Sequence, residues 1–380
     1  MARLSLTLLA VSLLILSTAM DSDGQGGAVQ AQIVPAVVSF GDSTIDVGNN
    51  NYLPGAVFKA DYVPYGVNFG KHHKPTGRFS DGKIVTDITA ETLGFESYAP
   101  PYLSPEATGE NLLIGANFAS AASSYYDDTA AMYDAITLTQ QLKYYKEYQS
   151  KLAALVGRKN ASAILSDALY IISTGTGDFL QNYYHNASLS RRYDVDSYCN
   201  LLVGIFSGFA NVSTYATIPS TKIDICSATP ALYRLGARRI GVTSMPPLGC
   251  LPASIRLYGK GHNGCVARLN GDAETFNKKL NVTVEALAKK HSDLKIAIFD
   301  IYTPLRDLSE SPASGGFTEA RKTCCKTGTR KTRVYLCNPA MAGLCRNASE
   351  FVYFDGVHPS EAANLVIAES TLSAGISLVT

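Results

Sequence analysis

The chain has 380 residues, 46% hydrophobic and 17% charged, which is the composition of a globular protein with room for one large domain or two ordinary ones. Its 33 basic and 32 acidic residues leave a formal charge of +1, which argues against nucleic acid as a partner. The cluster Arg330, Lys331 and Arg333 is local and reads as a solvated loop.

At the N-terminus, Arg3 precedes a leucine-rich apolar run at 4–16, and small residues follow at Ser17, Thr18 and Ala19. The run is short for a bilayer and has the layout of a cleaved signal peptide; an N-terminal anchor is the alternative. Residues 1–31 are expected to be signal peptide and short leader, cleaved near 19–21 or after Ala31, and 32–380 a single domain. No other segment reads as long and apolar enough to span a membrane. Five Asn-x-Ser/Thr sequons, at Asn160, Asn186, Asn211, Asn281 and Asn347, and eight cysteines agree with secretion.

The first predicted strand is 36–40, apolar and β-branched, and the chain breaks after it at Gly41-Asp42-Ser43. All three residue types favour turns, so Ser43 is either a turn serine or a nucleophile at a strand end. Further on, Leu142, Tyr145, Tyr148, Leu152 and Leu155 recur at helical steps within 138–155. The run 169–173 (LYIIS) predicts a second strand, 239–243 (RIGVT) a third and 294–300 (LKIAIFD) a fourth. Between the last two, Leu269, Ala273, Phe276, Leu280, Val284 and Leu287 mark one face of a helix within 269–291. Continuous apolar strands alternating with amphipathic helices imply a parallel sheet covered on both faces, whose sites lie beyond the carboxyl ends of the strands. Ser43 has that position.

Cys324, Cys325, Cys337 and Cys345 cluster in a segment with little core of its own, and Cys250 and Cys265 are a second plausible pair. Without paired C-x-x-C spacing, disulfides are favoured over zinc, with connectivity left open. Near the C-terminus, FDGVHPSEAAN places Asp355 three residues before His358. Pro359 is expected at the first position of a helix, with Ser360 or Glu361 in its opening turn. A loop before such a helix can aim both side chains into one cleft, the carboxylate holding Nδ1–H and leaving Nε2 free to take a hydroxyl proton. The alternative is a surface histidine beside a capping acid. The other five histidines lack a comparable setting. The nucleophile comes first and its partners last, and no Gly-x-Ser-x-Gly elbow occurs, so this is not the α/β-hydrolase arrangement.

The stretches FGDSTIDVGNNNYL, GRFSDGKIVTDITAETLG, GANFAS, LYIISTGTGDFLQNYY, LGARRIGVTSMPPLGCLP and FDGVHPSEAAN, in this order, resemble the plant GDSL esterase/lipase family, a branch of the SGNH hydrolases. The likeness covers almost the whole mature chain. It implies a three-layer α/β/α fold with a flavodoxin-like parallel sheet. It also implies ester hydrolysis by a Ser43–His358–Asp355 triad without metal or organic cofactor, by a secreted, extracellular protein of the cell wall or apoplast. The partner implied is a small-molecule or polymer-borne ester. Three departures stand against the pattern. Gly177, in Gly175-Thr176-Gly177-Asp178, occupies the position of the family's oxyanion asparagine and has no side-chain donor. Ala122 stands where a glycine would offer its N–H, beside the N–H of Ser43. An apparent insertion at 210–230 is either an exposed loop that Cys226 could tie to Cys199 or an artefact of the gene model. With a water or Thr176 as the expected substitutes at position 177, an asparagine restored there is expected to raise kcat. The competing reading is a catalytically impaired relative that binds a cell-wall or lipid ligand.

Overall fold

The computed structural model describes residues 32–210, 232–328, 334–341 and 343–380. The expected leader, the insertion from Asn211 onward with Cys226, and the basic cluster Arg330, Lys331 and Arg333 lie outside the described residues. Five parallel strands form one sheet: β1 (Val37–Gly41), β2 (Gly115–Asn117), β3 (Leu169–Ser173), β4 (Arg239–Thr243) and β5 (Lys295–Phe299). Their order is β2-β1-β3-β4-β5, with Val37 opposite both Gly115 and Leu169. This is the doubly wound order whose switch point lies between β1 and β3.

Two apolar clusters give the layers. Val38, Phe40, Tyr170, Ile172, Ile240 and Val242 point to one face, under the helices Leu138–Val156, Val195–Ala210 and Ala267–Lys290. The alternate residues Val37, Leu169 and Ile171 point to the other, with Phe299 from β5, where Ala90 of the helix Val85–Thr92, its C-cap Leu93 and Leu378 of the C-terminal helix Glu361–Val379 pack. Alternation along β1 and β3 thus buries both faces, while the edge strand β5 is only partly covered.

Four strands fall where the apolar runs predict them. β2 has only three residues and no β-branched side chain, so it carries no strand signal of its own. All six periodic residues of Ala267–Lys290 are buried. Of the five in Leu138–Val156, Leu155 is instead exposed, in the last turn of the helix where it overhangs the sheet-packed face. The C-terminal helix starts at Glu361, two residues later than expected. Ser360 is its N-cap, its hydroxyl accepting from the Ala363 N–H, and Pro359 lies outside the helix. That helix also corrects the expectation about membrane-spanning segments, since its length and composition would allow it to cross a bilayer. It packs against β4, β5 and Val85–Thr92 in this fold.

A parallel pair, β6 (Glu319–Thr323) and β7 (Phe351–Tyr353), flanks the cysteine-rich segment. Disulfides join Cys324 to Cys345, Cys325 to Cys337 and Cys250 to Cys265. Cys199 is a buried thiol with no disulfide partner among the described residues. Either side of residues 211–231, the chain closes on itself: the N–H of Leu232 donates to the Phe209 carbonyl at 3.0 Å and that of Tyr233 to the Ala210 carbonyl at 3.3 Å.

Candidate active site

β1 ends at Gly41, where a side chain, at φ +150°, would run into the Ser173 carbonyl on the adjacent β3, so only glycine fits there. The chain then turns, with the Asp46 N–H donating to the Asp42 carbonyl at 3.0 Å, and Ser43 stands at the carboxyl edge of the sheet beside the switch point. Gln141 clamps this edge: its carboxamide accepts from the Gly41 N–H and donates to the Gly41 carbonyl, both at 2.9 Å, and also donates to Ser123.

The polar residues that follow Ser43 are buried because they tie down the loop after β2. Asp46 accepts from the backbone of Gly48, Asn49 and Ala121 at 2.8–2.9 Å. Asn49 donates to the Asn117 and Ala119 carbonyls, and Asn50 to that of Ala121. Burial pushes both Asp42 and Asp46 up to about 6, against the pull of these amide donors on Asp46 and of the Thr44 N–H and hydroxyl on Asp42. The loop so held carries Ala122 at φ +70°, a left-handed conformation that favours glycine. Neither the Ser43 nor the Ala122 N–H donates to another group among the described residues.

His358 and Asp355 enter from the loop between β7 and the C-terminal helix. His358 Nε2 lies 2.7 Å from Ser43 Oγ, and Nδ1 lies 2.8 and 2.9 Å from the two Asp355 oxygens. Asp355 is fully buried and His358 nearly so. The Asp355 carboxylate also accepts from the N–H groups of Val357 and His358, which folds the loop tightly enough to stack acid and imidazole three residues apart. Tyr65 donates its hydroxyl to Asp355 Oδ2 at 2.7 Å and accepts from the Cys337 N–H at 3.0 Å, while the Phe79 ring lies 4.9 Å from the imidazole. Sequence reading missed Tyr65 and Gln141; nothing local marks either, because their partners lie 290 and 100 residues away.

After β3, Gly177 opens a short π-helical turn, Asp178–Tyr183. Asp178 is fully buried and accepts from the N–H groups of Tyr125 and Tyr126 and the Thr129 hydroxyl, so it joins this turn to the segment carrying Ala122. Gly177 and Thr176 line the same pocket as Ser43, Ala122 and His358. The space beside Gly177 is filled, however. A Cβ there would stand 2.6 Å from Ser124 Oγ and 2.7 Å from Gln181 Oε1. An asparagine at 177 would therefore meet the ends of the Ser124 and Gln181 side chains, both of which would have to shift to admit it.

Among the described residues no group of His, Cys, Asp and Glu is arranged to hold a metal ion. Of the sequons, Asn160, Asn186, Asn281 and Asn347 are exposed.

The family model described as GDSL-like Lipase/Acylhydrolase matches residues 37–371. The chain belongs to that family, which is one of carboxylic ester hydrolases. It is 53% identical over 349 residues to the GDSL esterase/lipase APG of Arabidopsis thaliana, covering 92% of this chain and 93% of that one. Two further Arabidopsis thaliana GDSL esterase/lipases are 49% and 50% identical, each over 91% of this chain and over 91% and 92% of their own lengths.

Proposed function

We propose that the protein is a secreted serine esterase that hydrolyses an acyl or acetyl ester through Ser43, His358 and Asp355, with the N–H groups of Ser43 and Ala122 in an oxyanion hole altered at Gly177. The observation that carries this reading is the continuous chain of hydrogen bonds from Ser43 Oγ through the imidazole to a buried carboxylate, 2.7 and 2.8 Å long, at the mouth of a pocket.

Ser43 Oγ attacks the ester carbonyl carbon while its proton passes to His358 Nε2, and the carbonyl π pair moves onto oxygen. The resulting imidazolium is stabilised by Asp355, held in line by Tyr65 and the loop amides. Collapse of the tetrahedral intermediate expels the alcohol, which takes the proton from Nε2. Water then repeats the sequence on the acyl-enzyme, releasing the acid and restoring Ser43. The pocket wall supports an apolar acyl portion, since Ile45, Val85, Ile171, Ile301, Leu305 and Ile367 line it. Secretion is supported by the disulfides, the exposed sequons and the apolar N-terminal run.

The test is hydrolysis of p-nitrophenyl butyrate by purified protein beside Ser43→Ala, His358→Ala and Asp355→Asn. All three are expected to lose at least about 10³-fold in kcat while remaining folded. A Ser43→Ala protein that keeps its activity sinks the reading.

A further inference from the structure

An attacking Ser43 generates an oxyanion, and two residues lining the pocket, Ser43 and Ala122, have backbone N–H groups with no partner among the described residues. The third position, next to Gly177, has no side chain of its own. Around this glycine the structure has an unusual pair of orphans. Of the eight buried side-chain polar atoms without a hydrogen-bond partner among the described residues, Ser124 Oγ and Gln181 Oε1 flank the same point, 2.6 and 2.7 Å from where a Cβ on Gly177 would be. A buried, unpaired carboxamide oxygen costs about 1–3 kcal/mol, so its place calls for an explanation. Gln181 also lines the pocket that holds Ser43, Ala122 and His358, and its amide nitrogen has no partner among the described residues.

We propose that the carboxamide of Gln181 is the third oxyanion donor, taking the space that Gly177 leaves open. The proposal rests on Ser43 being the nucleophile. The physical logic is one of reach. A carboxamide at 177 needs one methylene to enter the site; from 181, one helical turn further, it needs two, and it can lie back over position 177 only if that residue has no Cβ. Gly177 is then a permissive feature: its αR backbone, φ −63° and ψ −34°, is open to any residue, so the need for glycine there comes from the side chain above it. In the reaction Gln181 Nε2–H donates a hydrogen bond to the developing alkoxide and transfers no proton. It therefore stabilises the tetrahedral state more than the neutral ester, and acts on kcat more than on KM. Either end of the amide can face the oxyanion after a half-turn of the side chain, and only the nitrogen end donates.

The experiment compares kcat and KM for p-nitrophenyl butyrate in wild type, Gln181→Ala, Gln181→Glu, Gly177→Asn and Gly177→Asn/Gln181→Ala, with Ser43→Ala as blank and thermal unfolding as the check on folding. Gln181→Ala is expected to lower kcat by about 10–10³-fold with KM within about threefold. Gln181→Glu keeps the shape and loses the donor when ionised, so its activity relative to wild type is expected to rise as pH falls and the carboxyl regains a proton; a packing role would show no such trend. Gly177→Asn alone is expected to gain nothing, whereas in the Gln181→Ala background it recovers at least about tenfold of the lost kcat. If Gln181→Ala and Gln181→Glu both fold and keep kcat within about threefold of wild type, the proposal is overturned while the Ser43 reading stands. Wild type with no Ser43-dependent turnover overturns both.

Discussion

Ala122 stands at φ +70°, in a conformation that costs an L-residue about 1–2 kcal/mol. Ala122→Gly removes that strain but gives the unfolded chain more freedom, worth about 0.4–1 kcal/mol in the opposite sense. The balance predicts a gain of up to about 1 kcal/mol, the reverse of the ordinary Ala→Gly loss; a lower urea midpoint would show that φ is not the controlling term. Tyr65 offers a second test at this scale. Tyr65→Phe leaves both Asp355 Oδ2 and the Cys337 N–H short of a partner. It should cost about 1–3 kcal/mol in stability and lower kcat several-fold with KM little changed, because Asp355 then holds the imidazole less firmly. Steady-state kinetics with equal kcat in variant and wild type would show that Tyr65 does not position the acid.

The cysteine-rich segment can be read in the same terms. Tyr62 donates to the Cys337 carbonyl at 2.7 Å and Tyr65 accepts from its N–H, so the Cys325–Cys337 bridge fixes the strip of backbone on which Asp355 indirectly leans. Replacing both cysteines by serine should lower the unfolding free energy by about 2–5 kcal/mol and lower kcat even at temperatures where the protein remains folded. An unchanged kcat would make the bridge a staple of the surface only. The segment 211–231 gives the complementary prediction. Its flanks already meet through Leu232 and Phe209, and Leu232 is fully buried. Replacing the 21 residues 211–231 with a Gly-Ser-Gly linker should preserve fold and activity, because their flanks are already joined by hydrogen bonds. Loss of soluble folded protein would show that the segment contributes contacts the domain needs.

Across the molecule, the buried acids set a pH dependence whose sign is opposite to that of salt-bridged carboxylates. Asp42 and Asp46 are pushed from 3.8 to about 6 by burial and Asp178 to about 8, so between about pH 4 and 6 the native state holds three protons on these groups that the unfolded chain has released. Their contribution is fully present below about pH 4 and is lost as pH rises through about 6 for Asp42 and Asp46 and about 8 for Asp178, with a slope of at most about 4 kcal/mol per pH unit for three protons. Urea unfolding at pH 4.5 and pH 7 should give the higher midpoint at the lower pH. A flat or rising profile would mean that the amide donors around these carboxylates outweigh their burial.

The apolar runs at β1, β3, β4 and β5 and the 3.6-residue periodicity of Ala267–Lys290 were legible in the chain because burial on both faces of a sheet, or along one helix face, writes itself into adjacent residues. So was the acid–base pair, since Asp355 and His358 share one tight loop and their meeting is local. The meeting of His358 with Ser43, 315 residues away, was only an expectation from strand ends until the sheet order brought β1 beside the C-terminal loop. What the sequence alone read as a gap at Gly177 is decided by tertiary structure. The missing side chain could be counted in the sequence, but its occupant could not, because whether Gln181 lies over Gly177 or points to solvent depends on the π-helical turn and on Asp178 pinning that turn to the loop of Ala122. Composition and spacing report which groups are present; only packing decides which of them share a space.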